Sequence, residues 1–463
     1  MTTILPRGAV AVLAGALAVV GCSELNVLDY NNGDLNELQQ NPTPSGVITA
    51  AQGLIFGTRA DMGARNGYVV LLGILGREGY NFDAADPRFV TEMLGGTLDG
   101  GSPAFGGNLF ANPYANIRGA HIVLNALDLV VGFGEGEKEG LRGFAKTLQA
   151  LDFLNVINTR DTHGAPIAVD VDPTGDPAPI ATTAEVYAHI STLLDEAEDH
   201  LTAADAAFPE GFAMTSGFAG FDSPATFLTF NRALRARVAV YRGDYATALT
   251  ALGESFLDDA ASLSLGVYHV FTTRSGDLTN RLFDPSASDL LAHPSIVADA
   301  QDKANGDPDD RLTGKVFMLA DPVTVQGITT QFGFRIYSGL ASSIPVIRNE
   351  ELILLRAEAN LGLDQDAAAL TDINLIRASS GGLAAIGGGA WAALSDAEQL
   401  DELLYNKRYS LLFEGGHRWL DMRRYGRLDQ LPLDVATHQR HARFPFPVFE
   451  CDARLSAPPA TGC

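Results

Sequence analysis

Apolar residues recur every three or four positions along most of the chain, the spacing that places side chains on one face of an α-helix. In residues 141–156, for example, Phe144, Leu148 and Leu151 fall on a single stripe. The periodicity therefore predicts a mostly α-helical protein. Comparable patterns cover residues 45–55, 68–75, 114–129 and 183–201.

The sequence pattern of two segments predicts a pair of helices joined by a short turn. In residues 225–257 the break falls at Gly243, and in residues 350–377 one helix stops near Gly362 and Asp366 caps the next. Both segments resemble the helix-turn-helix of tetratricopeptide repeats, although the early tryptophan and closing proline of that repeat are absent. Because such a unit buries its faces only against neighbours, several of them must stack in one body.

Two other stretches lose the helical period. Residues 77–113 mix aromatic rings with many glycines, and long ordered loops in compact proteins are often binding loops. Residues 262–345 are rich in loops, and two runs within them, residues 268–271 and 332–337, alternate in the manner of short strands. The pattern thus predicts a loop-rich face with short strands on the helical body.

Composition narrows the class of protein. The 463-residue chain has a formal net charge of −24, which argues against a nucleic-acid or anionic-lipid surface because both require clustered lysine and arginine. Glycine and proline are frequent, with 48 and 22 residues, but 46% of all residues are apolar. This combination predicts many turns between packed elements rather than disorder.

The N-terminal sequence has the pattern of a targeting segment. Arg7 precedes an apolar run over residues 8–20, which is too short to span a membrane but has the length of a signal-peptide core. The run ends in VVGC at residues 19–22, which resembles a bacterial lipobox with cleavage before Cys22. Acylation of Cys22 would anchor the mature protein to a membrane without a spanning helix. An ordinary secretory signal with an incidental cysteine is the alternative.

Two further cysteines lie near the C-terminus. Cys451 and Cys463 are close enough in sequence to close a short loop, and exported proteins often carry disulfides. The sequence leaves open whether their geometry allows the bond.

The densest cluster of charged and aromatic residues lies in residues 401–426. Its first half has helical spacing, and a glycine pair then marks a bend or a close approach of the backbone. Glu414 and His417 could act as an acid–base pair, but nothing nearby supplies a nucleophile or metal ligands. We favour a packed helix end with Trp419 buried and the charges paired, because buried charge is rare unless paired. The charged residues concerned are Glu414, Asp421, Arg418, Arg423 and Arg424.

Sequence motifs of common enzymes are absent from the chain. It has no Gly-x-Ser-x-Gly elbow, phosphate loop, His-Glu-x-x-His or Cys-x-x-Cys sequence. We therefore predict a protein that is not an enzyme and that uses no cofactor or metal.

The run at residues 401–426 resembles the C-terminal signature of the SusD/RagB family of outer-membrane nutrient-binding lipoproteins. In that family a helix leads into the sequence R-x-x-E-L-x-F-E-G-x-R-W-x-D-L-R-R, and the Glu-Leu of that sequence is Ser410-Leu411 here. The helical segment at residues 141–156 also resembles the corresponding family segment. The matching residues are Arg408, Leu411, Leu412, Phe413, Glu414, Gly415, Arg418, Trp419, Asp421, Met422, Arg423 and Arg424.

The resemblance implies a single helical body and a lipid-anchored protein on the surface of the outer membrane. Such a protein captures an oligosaccharide or another oligomeric nutrient and delivers it to a SusC-like TonB-dependent transporter. Residues 1–21 would be the signal peptide and residues 22–44 a lipidated tether. The body, residues 45–463, would comprise an N-terminal helical part with binding loops at residues 45–260. A C-terminal part at residues 261–463 would carry the signature.

The ligand residues are predicted from loop placement alone. Where the founding starch binder of the family places aromatic residues, this chain has Phe105, Asn108 and Phe110, without a tryptophan. Phenylalanine stacks on sugars less well than tryptophan or tyrosine, so a peptide is an alternative ligand. A helical scaffold lipoprotein that binds a protein partner and a glycan hydrolase are alternative functions. The candidate site residues are Tyr80, Phe82, Phe105, Asn108, Phe110 and Tyr337.

Overall fold

The structure is a computed structural model, and it describes residues 35–101, 107–171, 175–454 and 462–463. Within these residues the protein is mostly α-helical, as the apolar spacing predicts. The helices are α1 (Leu35–Gln40), α2 (Pro44–Thr58), α3 (Tyr68–Leu75), α4 (Arg88–Thr91), α5 (Asn108–Leu129), α6 (Glu135–Arg160), α7 (Thr183–Ala203), α8 (Pro224–Arg242), α9 (Tyr245–Gly253), α10 (Ser295–Ala298), α11 (Asp310–Lys315), α12 (Asn349–Leu361), α13 (Asp366–Ser379), α14 (Gly388–Ala392), α15 (Asp396–Ser410), α16 (His417–Arg424) and α17 (Val448–Ala453).

The strands are short and pair antiparallel. One sheet has the strand order β1-β5-β7-β6, and two further pairs are β2-β3 and β4-β8. The strands are β1 (Gly79–Asn81), β2 (Ala165–Pro166), β3 (Ile180–Ala181), β4 (Gly266–His269), β5 (Leu290–Ala292), β6 (Val316–Val325), β7 (Ile328–Phe334) and β8 (Ile344–Arg348).

Both predicted helix pairs form, as α8–α9 and α12–α13. Ser223 begins α8 by accepting a hydrogen bond from the Thr226 amide, and Gly243 ends the helix with a φ of +72°, a conformation that glycine adopts without steric cost. Asp244 then accepts a hydrogen bond from the first turn of α9. In the second pair the prediction that Asp366 caps α13 is wrong, because Asp366 is the first helical residue and Gln365 precedes it.

The longest helix, α6, is the centre of the first hydrophobic core. From Gly140 onwards nearly every residue of α6 is buried, because α2, α5, α7 and α8 pack around it. The core also includes Val346 and Phe446 from the C-terminal part of the chain.

Two other cores complete the body. In the second, α3 is buried along its whole length between the four-stranded sheet and α16. The third lies among α12, α13, α14 and α15 and contains Trp391. The second core draws on both parts of the chain, since it joins Tyr68 to Trp419.

The structure corrects three expectations about irregular segments. The proposed tether at residues 22–44 contains α1, whose Leu38 packs against the first core. Residues 77–113 were expected to form one long loop, but they contain β1, α4 and the beginning of α5. That helix begins at Asn108, six residues before the predicted start, because Leu109 and Phe110 are held in the cores.

The C-terminal cysteines form a disulfide, Cys451–Cys463. Cys22 and Phe105 lie outside the described residues, so the predictions for both stand as predictions. None of the helices in the described residues combines the length and the hydropathy of a membrane span.

Candidate functional site

The C-terminal run forms a network of buried ion pairs around Glu414. The Arg348 guanidinium donates two hydrogen bonds to the Glu414 carboxylate, at 2.9 and 3.1 Å, and the Lys315 ammonium lies 3.4 Å away. Arg348 also forms a hydrogen-bonded ion pair with Glu350. Burial opposes ionisation of Glu350, but Arg348 and Lys315 outweigh it and lower the pKa of Glu350 to about 2. Glu414 is thus held by cations, whereas the acid–base hypothesis required it to pair with His417.

A second network holds α12, α15 and α16 together. The Lys407 ammonium donates to Glu358 at 2.6 Å and to Asp421 at 2.8 Å. The Arg424 guanidinium donates to the same two carboxylates, at 2.6 and 2.7 Å. Burial disfavours the charged form of Glu358, but the two cations still lower its pKa. Through these contacts Lys407, Asp421 and Arg424 of the signature run hold the three helices together.

Trp419 is fully buried, as predicted. Its indole Nε1 donates a hydrogen bond to the His441 carbonyl at 2.8 Å, and its ring meets Phe444 edge-on at 5.9 Å. The Arg423 guanidinium lies over the indole, 4.6 Å from a ring centre. The expectation that every arginine of the run is paired is wrong for Arg418, whose guanidinium forms no hydrogen bond or ion pair with any described residue.

Four of the six predicted ligand residues lie in the core. Tyr80 stacks on Phe82 at 5.1 Å and donates a hydrogen bond to Asp434 at 2.8 Å. The Tyr337 hydroxyl donates to the Phe413 carbonyl at 3.0 Å. Phe110 contacts other rings of the first core. All four rings are at least nine-tenths buried, because distant parts of the chain cover them, so the structure does not bring them to an open surface.

Asn108 is the one described candidate that is half-buried rather than buried. Asn108 and Asp61 both line a cavity of about 10 Å³, which has room for a single water molecule. The six candidates do not form one site, because Phe110 belongs to the first core whereas Tyr80, Phe82 and Tyr337 belong to the second.

Two surface hollows are large enough for part of a ligand. The larger, of about 420 Å³, lies between β3 and the beginning of α7. We call it the threonine hollow because Thr162, Thr182 and Thr183 line it. Several of its polar groups have partners within the protein: Thr183 donates to the Asp161 carbonyl, and Arg443 bonds Thr162.

The second hollow, of about 200 Å³, lies where α15, α16 and the turn after α16 meet. We call it the arginine hollow because three guanidinium groups line it. The Arg408 guanidinium bonds Asp299, 2.7 Å away, and Arg427 bonds Asp401. The third guanidinium is that of Arg418. The full lining is Asp401, Leu404, Tyr405, Arg408, Arg418, Met422, Arg427 and Gln430.

Sequence reasoning missed the arginine hollow. Both Arg408 and Arg418 belong to the signature run, but the sequence predicts an internal ion pair only for Arg418. Their separation by ten positions and a glycine pair gives no sequence signal that the two side chains face one space.

Comparison with known families identifies the class of protein. Residues 325–448 match the model of the SusD family, and this segment contains the signature run. This segment of the chain therefore belongs to the SusD/RagB family. No curated protein matches the chain.

Solved structures show that the fold extends over nearly the whole chain. A SusD superfamily protein from Bacteroides vulgatus ATCC 8482 has a TM-score of 0.65 at 14% identity, covering 93% of this chain and 99% of its own. A SusD-like carbohydrate-binding protein from Bacteroides fragilis NCTC 9343 has a TM-score of 0.64 at 16% identity, with coverages of 82% and 86%. A laminarin-binding SusD-like protein has a TM-score of 0.60 at 17% identity, with coverages of 88% and 97%. At these identities the likeness establishes the fold.

Proposed function

We propose that this protein is a cell-surface receptor that captures an oligosaccharide and delivers it intact to a SusC-like TonB-dependent transporter. The fold carries this proposal. Proteins of the same fold, similar over 82% or more of this chain, include one named as carbohydrate-binding and one named as laminarin-binding. Rigid helix pairs that hold a looped face suit a receptor, because a preorganised surface loses little entropy on binding.

The ion pairs formed by the two carboxylates of the signature run, Glu414 and Asp421, support binding without turnover. Glu414 and Asp421 lie in hydrogen-bonded ion pairs with buried cations, where neither is placed to give or take a proton from a ligand. We therefore assign them to stability.

The proposed location is the outer membrane, with the lipid of acylated Cys22 as the anchor. The apolar run at residues 8–20 and the cysteine that follows it support this location. Lipid attachment would keep the receptor beside its transporter while the helical body stays in water.

A binding and turnover screen tests the function. Full-length protein, purified in detergent, is titrated with a panel of glycans and peptides by calorimetry, and each mixture is then separated by chromatography. We expect one glycan class to bind and to be recovered unchanged. Shorter products would identify a hydrolase. Failure of every glycan and peptide, together with the absence of a barrel-transporter gene beside this one, would favour a scaffold for protein partners.

A further inference from the structure

The arginine hollow concentrates positive charge on a protein whose net charge is −24. Arg408 comes from α15, Arg418 from α16 and Arg427 from the turn that follows. Like charges held together are costly unless anions neutralise them. The partners of each arginine therefore indicate whether the hollow is already neutral.

Two of the three arginines have a carboxylate partner. Arg408 bonds Asp299 and also donates to the Ser295 hydroxyl, each at 2.7 Å. Arg427 bonds Asp401. Both carboxylates are more than half exposed, so these two ion pairs lie close to solvent.

Arg418 is the exception. Among the described residues nothing accepts a hydrogen bond from it or forms an ion pair with it, and its Nε is buried without a partner. Burial and the neighbouring charge of Arg408 lower the pKa of Arg418 to about 9, so the guanidinium is still charged at neutral pH. The hollow thus contains one guanidinium without a counter-ion.

Glu78 is a buried carboxyl group that interacts electrostatically with Arg418, and it does not neutralise Arg418 fully. No ion pair joins the two side chains, and Oε2 of Glu78 is itself buried without a hydrogen bond. Burial raises the pKa of Glu78 to about 7, although Arg418 and Arg408 oppose the shift. At neutral pH only part of the Glu78 population carries a charge.

The lining of the hollow specifies the chemistry of a ligand. A guanidinium presents a planar fork of donors that matches a carboxylate. Leu404, Met422 and the ring of Tyr405 provide apolar surface for the C–H groups of a sugar ring, and Gln430 provides an amide for its hydroxyls. The volume of about 200 Å³ is below the ~300–1,000 Å³ of sites for drug-sized ligands, which suits a single sugar unit.

We propose that the arginine hollow binds the carboxylate of a sugar acid within an oligosaccharide, and that Arg418 is the residue that pairs with it. This proposal rests on the proposed function, which it narrows to acidic glycans. An acidic peptide presents the same carboxylate without the sugar ring, so the experiment must separate the two.

The test compares ligands that differ only in charge. Full-length protein is titrated by calorimetry with trigalacturonic acid, with its neutral methyl ester and with an acidic tripeptide, triglutamate. We expect the acid to bind, and both the ester and the tripeptide to bind at least tenfold more weakly. Added salt should weaken binding of the acid more than that of the ester.

Three variants locate the site. Arg418→Gln should weaken binding of the acid by about tenfold to a hundredfold, the range for loss of hydrogen bonds to a charged group. Arg418→Lys, which keeps the charge but loses the planar fork, should fall between that variant and the wild type. Arg274→Gln, an exposed arginine in another loop, should bind like the wild type. Melting curves and the affinity for the ester report whether each variant is folded.

The outcomes separate this proposal from the proposed function. Equal binding of the acid and its ester, or unchanged binding by Arg418→Gln, would overturn the sugar-acid site and leave glycan capture standing. Preference for triglutamate would also overturn it and favour a peptide nutrient. Failure of every glycan in the wider panel would overturn the proposed function, and this inference with it.

Discussion

Asp152 is a buried carboxyl group that connects three helices. It lies on α6, and its Oδ2 accepts hydrogen bonds from Asn116 of α5 at 2.6 Å and from Thr58 of α2 at 3.4 Å. Burial outweighs these hydrogen bonds and raises the pKa of Asp152 to about 8. In neutral solution the group is therefore mostly protonated in the folded protein but ionised in the unfolded chain.

This difference predicts a pH-dependent stability. The folded state binds more protons than the unfolded state between about pH 4 and pH 8, so the Asp152 contribution to the free energy of unfolding falls as pH rises through that window. Asp152→Asn removes the titration. We expect the stability of Asp152→Asn relative to wild type to increase from pH 4 to pH 8, measured by urea denaturation. Asp222→Asn, the same substitution at an exposed position, is the control. A pH-independent difference for Asp152→Asn would contradict the raised pKa.

The packing of Trp419 gives a second prediction at the scale of a residue. Trp419→Ala should lower the free energy of unfolding by about 3–5 kcal/mol, the usual cost of deleting a buried large aromatic side chain. Chemical denaturation measures this loss in the free energy of unfolding. Phe449→Ala, which removes a ring that is 53% exposed, is the control and should cost much less. Equal midpoints for Trp419→Ala and wild type would show that the indole is not a core residue.

At the scale of elements, the junction between α15 and α16 depends on a close approach of backbone. Gly416 begins α16 with a φ of +72°. A β-carbon added there would lie 2.2 Å from the β-carbon of Leu72 on α3. The signature run therefore needs glycine at this position both for conformation and for space.

Gly416→Ala should be more destabilising than conformational strain alone explains. Strain at a left-handed residue costs roughly 1–3 kcal/mol, and the clash with Leu72 adds to it. Gly426→Ala is a matched control, because Gly426 has a φ of +66° and nothing within 4 Å of an added β-carbon. We expect Gly416→Ala to lower the melting temperature clearly more than Gly426→Ala. Similar losses for both variants would contradict the close packing of α16 on α3.

The helix pairs were predictable from sequence, whereas several neighbouring segments were not. The turn between α8 and α9 has its own local signals, with Gly243 ending one helix and Asp244 capping the next. In residues 77–113 Asp86 accepts a hydrogen bond from the Arg88 amide at the beginning of α4, but no local signal marks β1. The strand β1 forms only because β5 pairs with it, and β5 lies some two hundred residues later in the chain.

At the scale of the whole molecule, three cores build one helical body. Residues from both the N-terminal and C-terminal parts enter the first and second cores, so each part needs the other to bury its apolar faces. The excess negative charge of the chain keeps such a surface soluble and discourages self-association.

Membrane attachment depends on Cys22 if the proposed location holds. Cys22→Ala should move the protein from the membrane fraction to the soluble fraction, because the described helices offer no spanning segment in its place. Fractionation and labelling with a radioactive fatty acid measure the effect. Label that persists in Cys22→Ala would contradict acylation at this cysteine, and release of unlabelled wild type would indicate an ordinary secretory signal.

The sequence by itself determined the helical class, the two helix pairs and the family signature. Periodicity and capping act within a few residues of one another, so these features are visible without the fold. Only the tertiary structure decided which aromatic rings are buried and which arginine of the signature run lacks a partner among the described residues. Tyr80 is covered with the help of Asp434, 354 positions away, and Arg418 shares a hollow with side chains from three elements. Burial and charge pairing depend on such distant neighbours, which spacing along the chain does not reveal.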